Sequence, residues 1–536
     1  MDTTSVEILD GSDQEGVDEL DLLLSYHPLN YQYVTAYKKG RWDGYDHLIY
    51  QHRSGPILFS PGLLPRVIHH LDTQGYEYEI VEDLRREYPK TPFCSLAEAG
   101  YELRYFQEDA LGLIERHKRG IVQAPPRAGK TLISIELFRR TSLMPFIFLV
   151  WKKEEAKQTR KSFEARLPGL RAGIIADGVC DIENKHVIVT TVASLLWAND
   201  LIEIDESKRA YKSRIKKDKD RIEDEIRPRY ENYSKIRKLC REAKIVIWDE
   251  AHHAASDLDR YLSQKFRHAE YVVGLSGTPW RDDNRDLILE EVVGPILFHM
   301  PYKEAVDAKI ILPLQVTAFF LPEFDYIITK GYPEAYRKAV ANNAWYDRFI
   351  RRLVDHHRKR GETVAVIVQQ KDHGRRLGRE IPRSVFVYGN SKNRERTQGF
   401  ESIQLRDGTC LISNLINEAI DLPSLDVVIV ADVRKGSTGV FQRIRSMTVD
   451  VGKEIAQLVC FVPAVPQIRL HGVRALNLLR SEESFTVYGR EVDEDGTIGP
   501  AKLLKPDRRV KPRGKLHVLP GATEGERRAA RTGRGT

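Results

Sequence analysis

The sequence predicts an α/β protein with two domains in tandem, each built on a doubly wound, mostly parallel β-sheet, and with a small α+β domain before them. Short apolar runs alternate with helical stretches over residues 121–298, and the alternation returns over residues 310–463. A glycine-containing loop of the phosphate-binding type lies between the first strand and the first helix of the earlier block. Residues 26–83 have a different, aromatic and basic character, which predicts a separate N-terminal domain.

Length and composition narrow the class of protein. The 536 residues suffice for about two to four domains. No apolar run reaches the roughly 18 residues of a membrane span, and the acidic start lacks a signal-peptide pattern. Five cysteines lie far apart without a C-x-x-C pair, which favours a reducing compartment over zinc or disulfides. We therefore expect a cytoplasmic protein, and its net charge of +7 permits a polyanionic partner.

The N-terminal region begins with an acidic leader, residues 1–25, which is expected to be disordered. A helix is predicted over Leu63–Leu71 and a strand over Tyr76–Val81. Between leader and helix lies a group that we call the aromatic–basic patch: Tyr31, Tyr33, Tyr37, Lys38, Lys39, Arg41, Trp42 and Tyr45. Such side chains suit nucleic-acid strands through stacking and phosphate contact, and the predicted DNA contacts are Lys38, Lys39, Arg41 and Trp42. A small domain whose tyrosines form its core fits the composition equally well.

The first alternating block contains six strand candidates: Gly120–Val122, Phe146–Trp151, Gly173–Ile175, His186–Thr191, Ile245–Trp248 and Tyr271–Leu275. Catalytic loops of such sheets lie at the carboxyl ends of the strands. Residues 205–244 interrupt the alternation of strands and helices and are rich in charged side chains. They are predicted to form one or two solvated helices broken near Pro228. A DNA-touching arm is the alternative for this insertion.

The stretch Gln123–Ser134 carries Gly-Lys-Thr at the start of a predicted helix. Gly129 lets the backbone approach an anion closely, because N–H groups at a helix start point at phosphates. Lys130 can reach β- and γ-phosphates, and the hydroxyl of Thr131 can ligate Mg²⁺. The first glycine of the pattern G-x-x-x-x-G-K-[ST] is replaced by Ala124.

A second motif follows the strand Ile245–Trp248, which ends in two adjacent carboxylates. Nucleotide hydrolysis needs one carboxylate to hold Mg²⁺ and one to orient and activate the attacking water. Asp249 suits the first role and Glu250 the second.

Together, the Gly-Lys-Thr loop and Asp249-Glu250-Ala251-His252 resemble motifs I and II of superfamily 2 helicases and translocases of the DEAH-box group. The resemblance implies two RecA-like domains, ATP and Mg²⁺ as cofactors, and DNA as partner. Gly274–Arg281 resembles motif III, in which Ser276 and Thr278 would couple hydrolysis to movement. Thr190–Leu195 resembles motif Ib, which implies a nucleic-acid contact for Thr191.

The resemblance also implies the nucleotide-binding residues. Leu103–Gln107 resembles the adenine-recognition element, with Gln107 reading the base edge. The implied set is Arg104, Gln107, Arg127, Ala128, Gly129, Lys130, Thr131, Asp249, His252 and Gln442.

The second block has no Gly-Lys-Thr loop of its own. Its predicted strands are Thr363–Val368, Ser384–Tyr388, Cys410–Ile412, Val427–Ala431 and Leu458–Val462. Leu411–Pro423 resembles motif V, with Ala419 where the family usually has Gly. Phe441–Thr448 stands where motif VI is expected but lacks its central Gly. Arg445 is the first candidate for an arginine finger, and Arg443 is the second.

Trp42-Asp43-Gly44 and Phe59–Leu64 resemble the N-terminal domain of phage UvsW-type recombination helicases. This implies a motor on branched DNA, acting in branch migration, fork regression or strand annealing, and we expect a monomer in the cytoplasm of a bacterial host. The alternatives are a duplex-translocating motor of a restriction or remodelling complex, an RNA helicase, and a non-catalytic DNA-binding scaffold. The expected segments are leader 1–25, DNA-binding domain 26–83, linker 84–100, first helicase domain 101–300, second helicase domain 301–465, and extension 466–536 with a disordered basic tail.

Overall fold

The computed structural model divides into two compact units. The first comprises Met1–Ala124, Gly129–Met300 and Gly514–Thr536, and the second comprises Pro125–Ala128 and Pro301–Arg513. The structure describes residues 6–8, 14–51, 56–125, 127–199, 232–279, 281, 283–324, 331–389, 391, 393–414, 425–433, 453–506, 516–520 and 522–523. Among these residues, no helix is long and apolar enough to cross a membrane.

The N-terminal region is a small α+β structure. Its strands are β1 (Val6–Ile8), β2 (Ser25–Tyr26), β3 (Asp46–His47), β4 (Tyr50–Gln51) and β5 (Ile57–Phe59). They pair antiparallel in the order β1-β5-β4, with β2 beside β3. The helices are Gln14–Leu23, Thr35–Lys38 and Leu64–Gln74, with 3₁₀ turns at Tyr31–Tyr33 and Pro61–Leu63.

Two N-terminal predictions are wrong. The leader is not disordered where the structure describes it, because β1 pairs with β5 and the helix Gln14–Leu23 buries Leu20. No strand forms over Tyr76–Val81, which lies wholly among the described residues. The hydroxyls of its two tyrosines, Tyr76 and Tyr78, instead bond to carboxylates of nearby helices, and its backbone finds no sheet partner.

The sheet of the first unit has eight strands: β6 (Arg119–Gln123), β7 (Phe146–Val150), β8 (Ala172–Ala176), β9 (Val179–Asp181), β10 (Val187–Thr191), β11 (Ile245–Asp249), β12 (Tyr271–Ser276) and β13 (Ile296–His299). Their order is β13-β6-β12-β11-β7-β10-β8-β9, and every pair is parallel except β8–β9. All six predicted strands are present. They are apolar runs buried on both faces, as parallel strands between helices require.

Helices connect these strands. They are Leu96–Ala99, Tyr105–His117, Lys130–Thr141, Lys153–Arg166, Val192–Ala198, residues 232–242, Asp257–Ser263 and Asp286–Val293, with a 3₁₀ turn at Ala251–His253. Residues 200–231 of the charged insertion lie outside the described residues. Its end is not solvated as expected, because Ile236 and Cys240 are buried in the core of the unit.

The second unit repeats the architecture. Its strands are β14 (Leu314–Phe320), β15 (Val364–Ile367), β16 (Ser384–Val387), β17 (Cys410–Ser413), β18 (Val427–Val430), β19 (Ala456–Val462), β20 (Phe485–Glu491) and β21 (Lys502–Leu503). Their order is β16-β17-β15-β18-β19-β14-β20-β21, with only β20–β21 antiparallel. The helices are Tyr302–Asp307, Tyr332–Tyr336, Ala344–Lys359, Lys371–Glu380, Asn393–Gln404 and Pro466–Ser481, with a π-helical turn at Arg337–Ala341.

The predicted fold class is confirmed by these two eight-stranded, mainly parallel sheets with helices. The predicted end of the second domain at residue 465 is wrong, because β20 pairs along the whole of β14 and completes the sheet. The basic tail also departs from expectation. Part of it returns to the first unit, where the His517 carbonyl accepts from Ile296 N and Leu519 N donates to the Ile296 carbonyl.

Candidate active site

Three functional loops begin at adjacent strand ends of the first sheet. β12 lies between β6 and β11, and its Leu275 is in register with Val122 on one side and Asp249 on the other. The Gly-Lys-Thr loop follows β6, the Asp249–Glu250 pair ends β11, and Ser276 ends β12. Parallel strands align their carboxyl ends on one edge of a sheet, so the topology gathers three predicted motifs there.

Gly129, at the start of the proposed phosphate loop, has a backbone conformation that strongly favours glycine. Its φ is +76°, in the left-handed region that side chains other than glycine rarely adopt. An added Cβ would also lie 2.3 Å from Nε2 of Gln107. The helix Lys130–Thr141 starts at the next residue, so its first N–H groups open toward the loop.

Lys130 is buried, and its Nζ donates to the Ala124 carbonyl at 3.0 Å. The Lys130 ammonium is therefore bonded to the backbone of the same loop whose bound phosphates it is proposed to contact. Thr131 is half-buried in the first helical turn. Both residues are where a P-loop needs them.

The stretch Leu103–Gln107, predicted to recognise adenine, lies beside the same loop, where Gln107 approaches Gly129. Gln107 is buried, and its Oε1 accepts from Arg104 N at 2.9 Å, which closes a capping box at the start of the helix Tyr105–His117. The Arg104 side chain is exposed. In the loop itself, Ala128 is buried and Arg127 is exposed with a φ of 65°.

The two predicted carboxylates lie at the end of β11 with an unusual backbone between them. Glu250 has φ 46° and ψ 53°, a left-handed conformation that costs a non-glycine residue roughly 1–2 kcal/mol. Its N–H donates to Oδ1 of Asp249 at 3.0 Å. The Asp249 carbonyl accepts from the indole Nε1 of Trp151 at 2.9 Å. Both carboxylate side chains are half-buried.

His252 connects the second motif to the third. Its Nδ1 lies 3.2 Å from Ser276 Oγ and 3.5 Å from Glu250 Oε2. Ser276 Oγ also accepts from Thr278 N at 3.2 Å. The pKa of His252 is lowered to about 4, chiefly by burial, with smaller contributions from the nearby His253, Arg281 and Lys130, while Glu250 opposes the shift. The imidazole is therefore neutral near pH 7, and a single nitrogen, Nδ1, makes both contacts.

Two residues without an individual role predicted from the sequence, Arg281 and Trp151, also lie at this site. Arg281 bonds through its guanidinium to the His252 carbonyl and pairs with Asp283 at 2.6 Å. Trp151 bonds to Asp249, as described above. Trp151 follows β7 directly, so its position at a carboxyl strand end was a usable signal. The contact of Arg281 has no local signal, because it links residues 29 positions apart in the sequence.

The residues present fit ATP with Mg²⁺. The left-handed glycine, the cationic Lys130 and the helix start together form a cradle for phosphates. Thr131 and Asp249 offer hard oxygen ligands, which Mg²⁺ prefers. Glu250 remains beside them as a second carboxylate.

The remaining predicted contacts are dispersed. Thr191 ends β10 and is buried, and its Oγ1 caps the helix Val192–Ala198 by accepting from Ser194 N at 3.2 Å. Gln442, Arg443 and Arg445 lie outside the described residues, as does the greater part of the stretch that resembles motif V.

The aromatic–basic patch is a surface layer rather than a buried core. The ring of His27 stacks on Tyr31 at 4.1 Å and on Tyr45 at 3.8 Å between centroids. The indole N–H of Trp42 donates to the Tyr45 carbonyl at 2.7 Å, which fixes the tryptophan at the end of the stack. The three cationic members, Lys38, Lys39 and Arg41, are exposed around these rings.

Residues 100–281 match the family model described as "Type III restriction enzyme, res subunit". The chain is 24% identical over 349 residues to the putative DNA 3'-5' helicase Rad25 of Halobacterium salinarum, covering 63% of this chain and 50% of that protein. It is 25% identical over 270 residues to putative helicase 22 of a Sulfolobus islandicus filamentous virus, covering 47% and 48%. The chain thus spans about half the length of these relatives.

Among solved structures, the chain is similar to T4 UvsW, with 15% identity, a TM-score of 0.39, and coverage of 92% of this chain and 98% of that one.

Proposed function

We propose that this chain, which carries a superfamily 2 helicase core, is an ATP-dependent DNA helicase or translocase that remodels branched DNA. The single observation that supports this most is the convergence of three motifs on adjacent strand ends, β6, β12 and β11. The 182-residue family match from 100 to 281 covers the same motifs. The activity and its DNA substrate are proposals for this chain.

Four side chains would carry out the hydrolysis. Lys130 and the backbone after Gly129 bind the phosphates, and Thr131 and Asp249 hold Mg²⁺, which would neutralise charge that develops on the transferred phosphoryl group. Glu250 orients and deprotonates the attacking water. Because its carboxylate is adjacent to Asp249 at a strand end, it can act on a water beside the bound phosphates.

Hydrolysis would be coupled to movement through His252. The neutral imidazole lies between Glu250 and Ser276, and Ser276 Oγ in turn bonds to Thr278 N. A change of charge or position at Glu250 would therefore reach the loop after β12 through three contacts of 3.2 to 3.5 Å. This is the proposed role of Ser276 and Thr278.

DNA would be held mainly through its phosphates, with stacking on aromatic rings. Lys38, Lys39 and Arg41 are exposed beside Trp42 and the stacked tyrosines, a combination that suits single strands at a junction. We propose Thr191 as a backbone contact at the end of β10. Binding should show little sequence preference and strong salt dependence.

The resemblance to superfamily 2 helicases implies an arginine finger that acts on the nucleotide. We propose Arg445, with Arg443 as second choice, and Gln442 as a nucleotide sensor. An arginine finger is worth on the order of 10³–10⁵ in rate. Alanine at each position separately, measured by DNA-stimulated ATP hydrolysis, tests this assignment, and normal rates in both variants would show that the finger lies elsewhere.

A second candidate is a duplex-translocating motor of a restriction or remodelling complex. The description of the matching family model, a res subunit of a type III restriction enzyme, favours it. The two candidates differ in product, because a motor of this kind moves along duplex without separating strands.

Strand separation and branch migration distinguish the candidates. The wild-type protein and the variant Glu250→Gln are incubated with ATP and one of four substrates: a forked DNA, a four-way junction, a duplex DNA carrying a third strand as a triplex, or an RNA duplex. The proposal expects wild type to convert the fork and the junction, and expects the variant to convert neither. Displacement of a triplex strand from duplex, without conversion of the fork, would favour the restriction-type motor. Conversion of RNA alone would show an RNA helicase.

A further inference from the structure

Trp151 contacts the hydrolysis site from a strand that carries none of the motifs used above. It follows β7, which pairs in parallel with β11, with Leu149 in register with Trp248. Its indole Nε1 donates to the Asp249 carbonyl at 2.9 Å. Its ring also packs against His253 with 5.2 Å between centroids. Two contacts thus fix the indole beside the second motif.

The hydrogen bond falls on the peptide group that joins the two carboxylate residues. This peptide has two polar ends: the Asp249 carbonyl, held by Trp151, and the Glu250 N–H, held by Asp249 Oδ1 at 3.0 Å. The residue after this peptide, Glu250, has the left-handed φ of 46°. Rotating the peptide by about half a turn would carry φ of Glu250 from a positive to a negative value, the sign that L-residues favour, while its ψ of 53° would not change. It would also break both hydrogen bonds.

We propose that Trp151 is a positioning residue for hydrolysis: its indole N–H keeps the Asp249–Glu250 peptide in the orientation that holds Glu250 left-handed. The inference rests on the proposed function, in which Glu250 orients the attacking water. A backbone strained at a functional residue persists only when its surroundings over-determine it. The two hydrogen bonds on one peptide provide that constraint here. The carboxylate direction of Glu250 then depends on a side chain from a neighbouring strand.

The test uses three variants of the full chain. Trp151→Phe keeps a ring but removes the N–H. Replacement of Trp151 by β-(3-benzothienyl)alanine keeps the shape of the indole and removes only the N–H. Trp197→Phe is the matched control, because Trp197 is 49% exposed on the helix Val192–Ala198.

Amide exchange in the nucleotide-free protein tests the constraint without any turnover. Deuterium uptake is followed at the Glu250 amide. Loss of one hydrogen bond should speed exchange about fivefold to tenfold in both Trp151 variants and leave the control unchanged. With DNA and ATP, kcat should fall by a similar factor while KM for ATP stays within about twofold, because the phosphate-binding groups are intact.

Wild-type exchange and wild-type kcat in Trp151→Phe would overturn the proposal. Wild-type exchange and kcat in the benzothienyl variant would also overturn it. Any defect of Trp151→Phe would then come from the lost packing of the ring and not from the lost N–H. If the wild-type protein fails to hydrolyse ATP at all, the proposed function is wrong, and the exchange measurement still decides whether Trp151 constrains the peptide.

Discussion

At the scale of single residues, Gly129 and Glu250 are both left-handed positions at the proposed site, and they differ in kind. Gly129 has no side chain to oppose its φ of +76°, so its conformation is inexpensive. Glu250 has φ 46° with a full side chain and is held by hydrogen bonds on both ends of the preceding peptide. The glycine makes room for an anion, whereas the glutamate is held under strain where its carboxylate is needed.

Gly129→Ala should abolish tight nucleotide binding. The new methyl would meet Gln107 Nε2 at 2.3 Å and occupy an unfavourable φ, so we expect affinity for a fluorescent ATP analogue to fall at least about tenfold. The matched control is Gly112→Ala in the helix Tyr105–His117, where nothing lies within 4 Å of the new methyl. That change should stabilise the fold by about 0.5–1 kcal/mol and leave binding unaltered. Equal affinities in both variants would contradict the assigned phosphate loop.

His252→Asn should change how stability depends on pH. The folded-state pKa of His252 is about 4, while the unfolded imidazole titrates near 6.5. Between these values the unfolded chain binds more protons, so the free energy of unfolding falls as the pH is lowered from 6.5 towards 4. In the variant, the free energy of unfolding should depend less steeply on pH over this range. The difference in slope should correspond to at most about one bound proton, or roughly 1.4 kcal/mol per pH unit. Above pH 7 the two proteins should have the same slope. Urea titrations measure the free energy of unfolding of both proteins from about pH 4 to 7. If the two curves of this free energy against pH run parallel, His252 is not buried in its neutral form.

At the scale of elements, the helix Asp286–Val293 joins the N-terminal region to the first sheet. Its Glu290 is fully buried and accepts two hydrogen bonds from the guanidinium of Arg66, at 2.9 and 2.7 Å. The His517 N–H bonds to the same carboxylate. Gly62 approaches the helix so closely that a Cβ would lie 2.2 Å from the Glu290 carbonyl. Three distant parts of the chain therefore meet on one helix that follows the third motif.

Arg66→Ala should destabilise the protein by about 3–5 kcal/mol, because it leaves the Glu290 carboxylate buried without its cation. The control is Arg85→Ala, whose partner Asp83 is on the surface and whose loss should cost less than about 1 kcal/mol. Urea unfolding measures both. A difference below 1 kcal/mol between the two variants would show that Arg66 does not fix the N-terminal region to the helix.

The sequence predicted elements well where the signal was local. The six predicted strands of the eight-stranded first sheet are apolar runs that contain many β-branched residues, and the motifs follow three of them directly. Contacts between distant segments were not predictable. The bond from Trp151 to Asp249 and the bond from Arg66 to Glu290 depend on strand order and docking, which no local pattern specifies. The strand predicted over Tyr76–Val81 failed in the opposite way, because the local signal was present and the strand is not. Alternating residues form a strand only if the edge of another strand is available for pairing.

At the scale of the whole molecule, charge is distributed unevenly enough to predict how DNA binding should respond to salt. The cations of the aromatic–basic patch are exposed together in the N-terminal region. Each phosphate contact contributes about 0.7 to the slope of log affinity against log salt for single strands and about 0.9 for duplex.

Reversing Lys38, Lys39 and Arg41 to Glu should reduce that slope by about two to three for forked DNA. The charge-matched control reverses Lys157, Lys161 and Arg166, which are exposed on the helix Lys153–Arg166. Fluorescence anisotropy over a series of salt concentrations from about 50 to 200 mM measures both slopes. Equal slopes in the two triple variants would remove the patch from the DNA interface.

ATP hydrolysis with and without forked DNA, compared between the wild-type protein and Lys130→Ala, tests the central claim most directly. Lys130 lies at the start of the helix after the phosphate loop, with its ammonium on the Ala124 carbonyl, and it has no assigned role in DNA binding. The account predicts that forked DNA stimulates the wild-type rate, that the variant loses hydrolysis at least about a hundredfold, and that it still binds DNA. A Lys130→Ala protein that hydrolyses ATP at the wild-type, DNA-stimulated rate would contradict it.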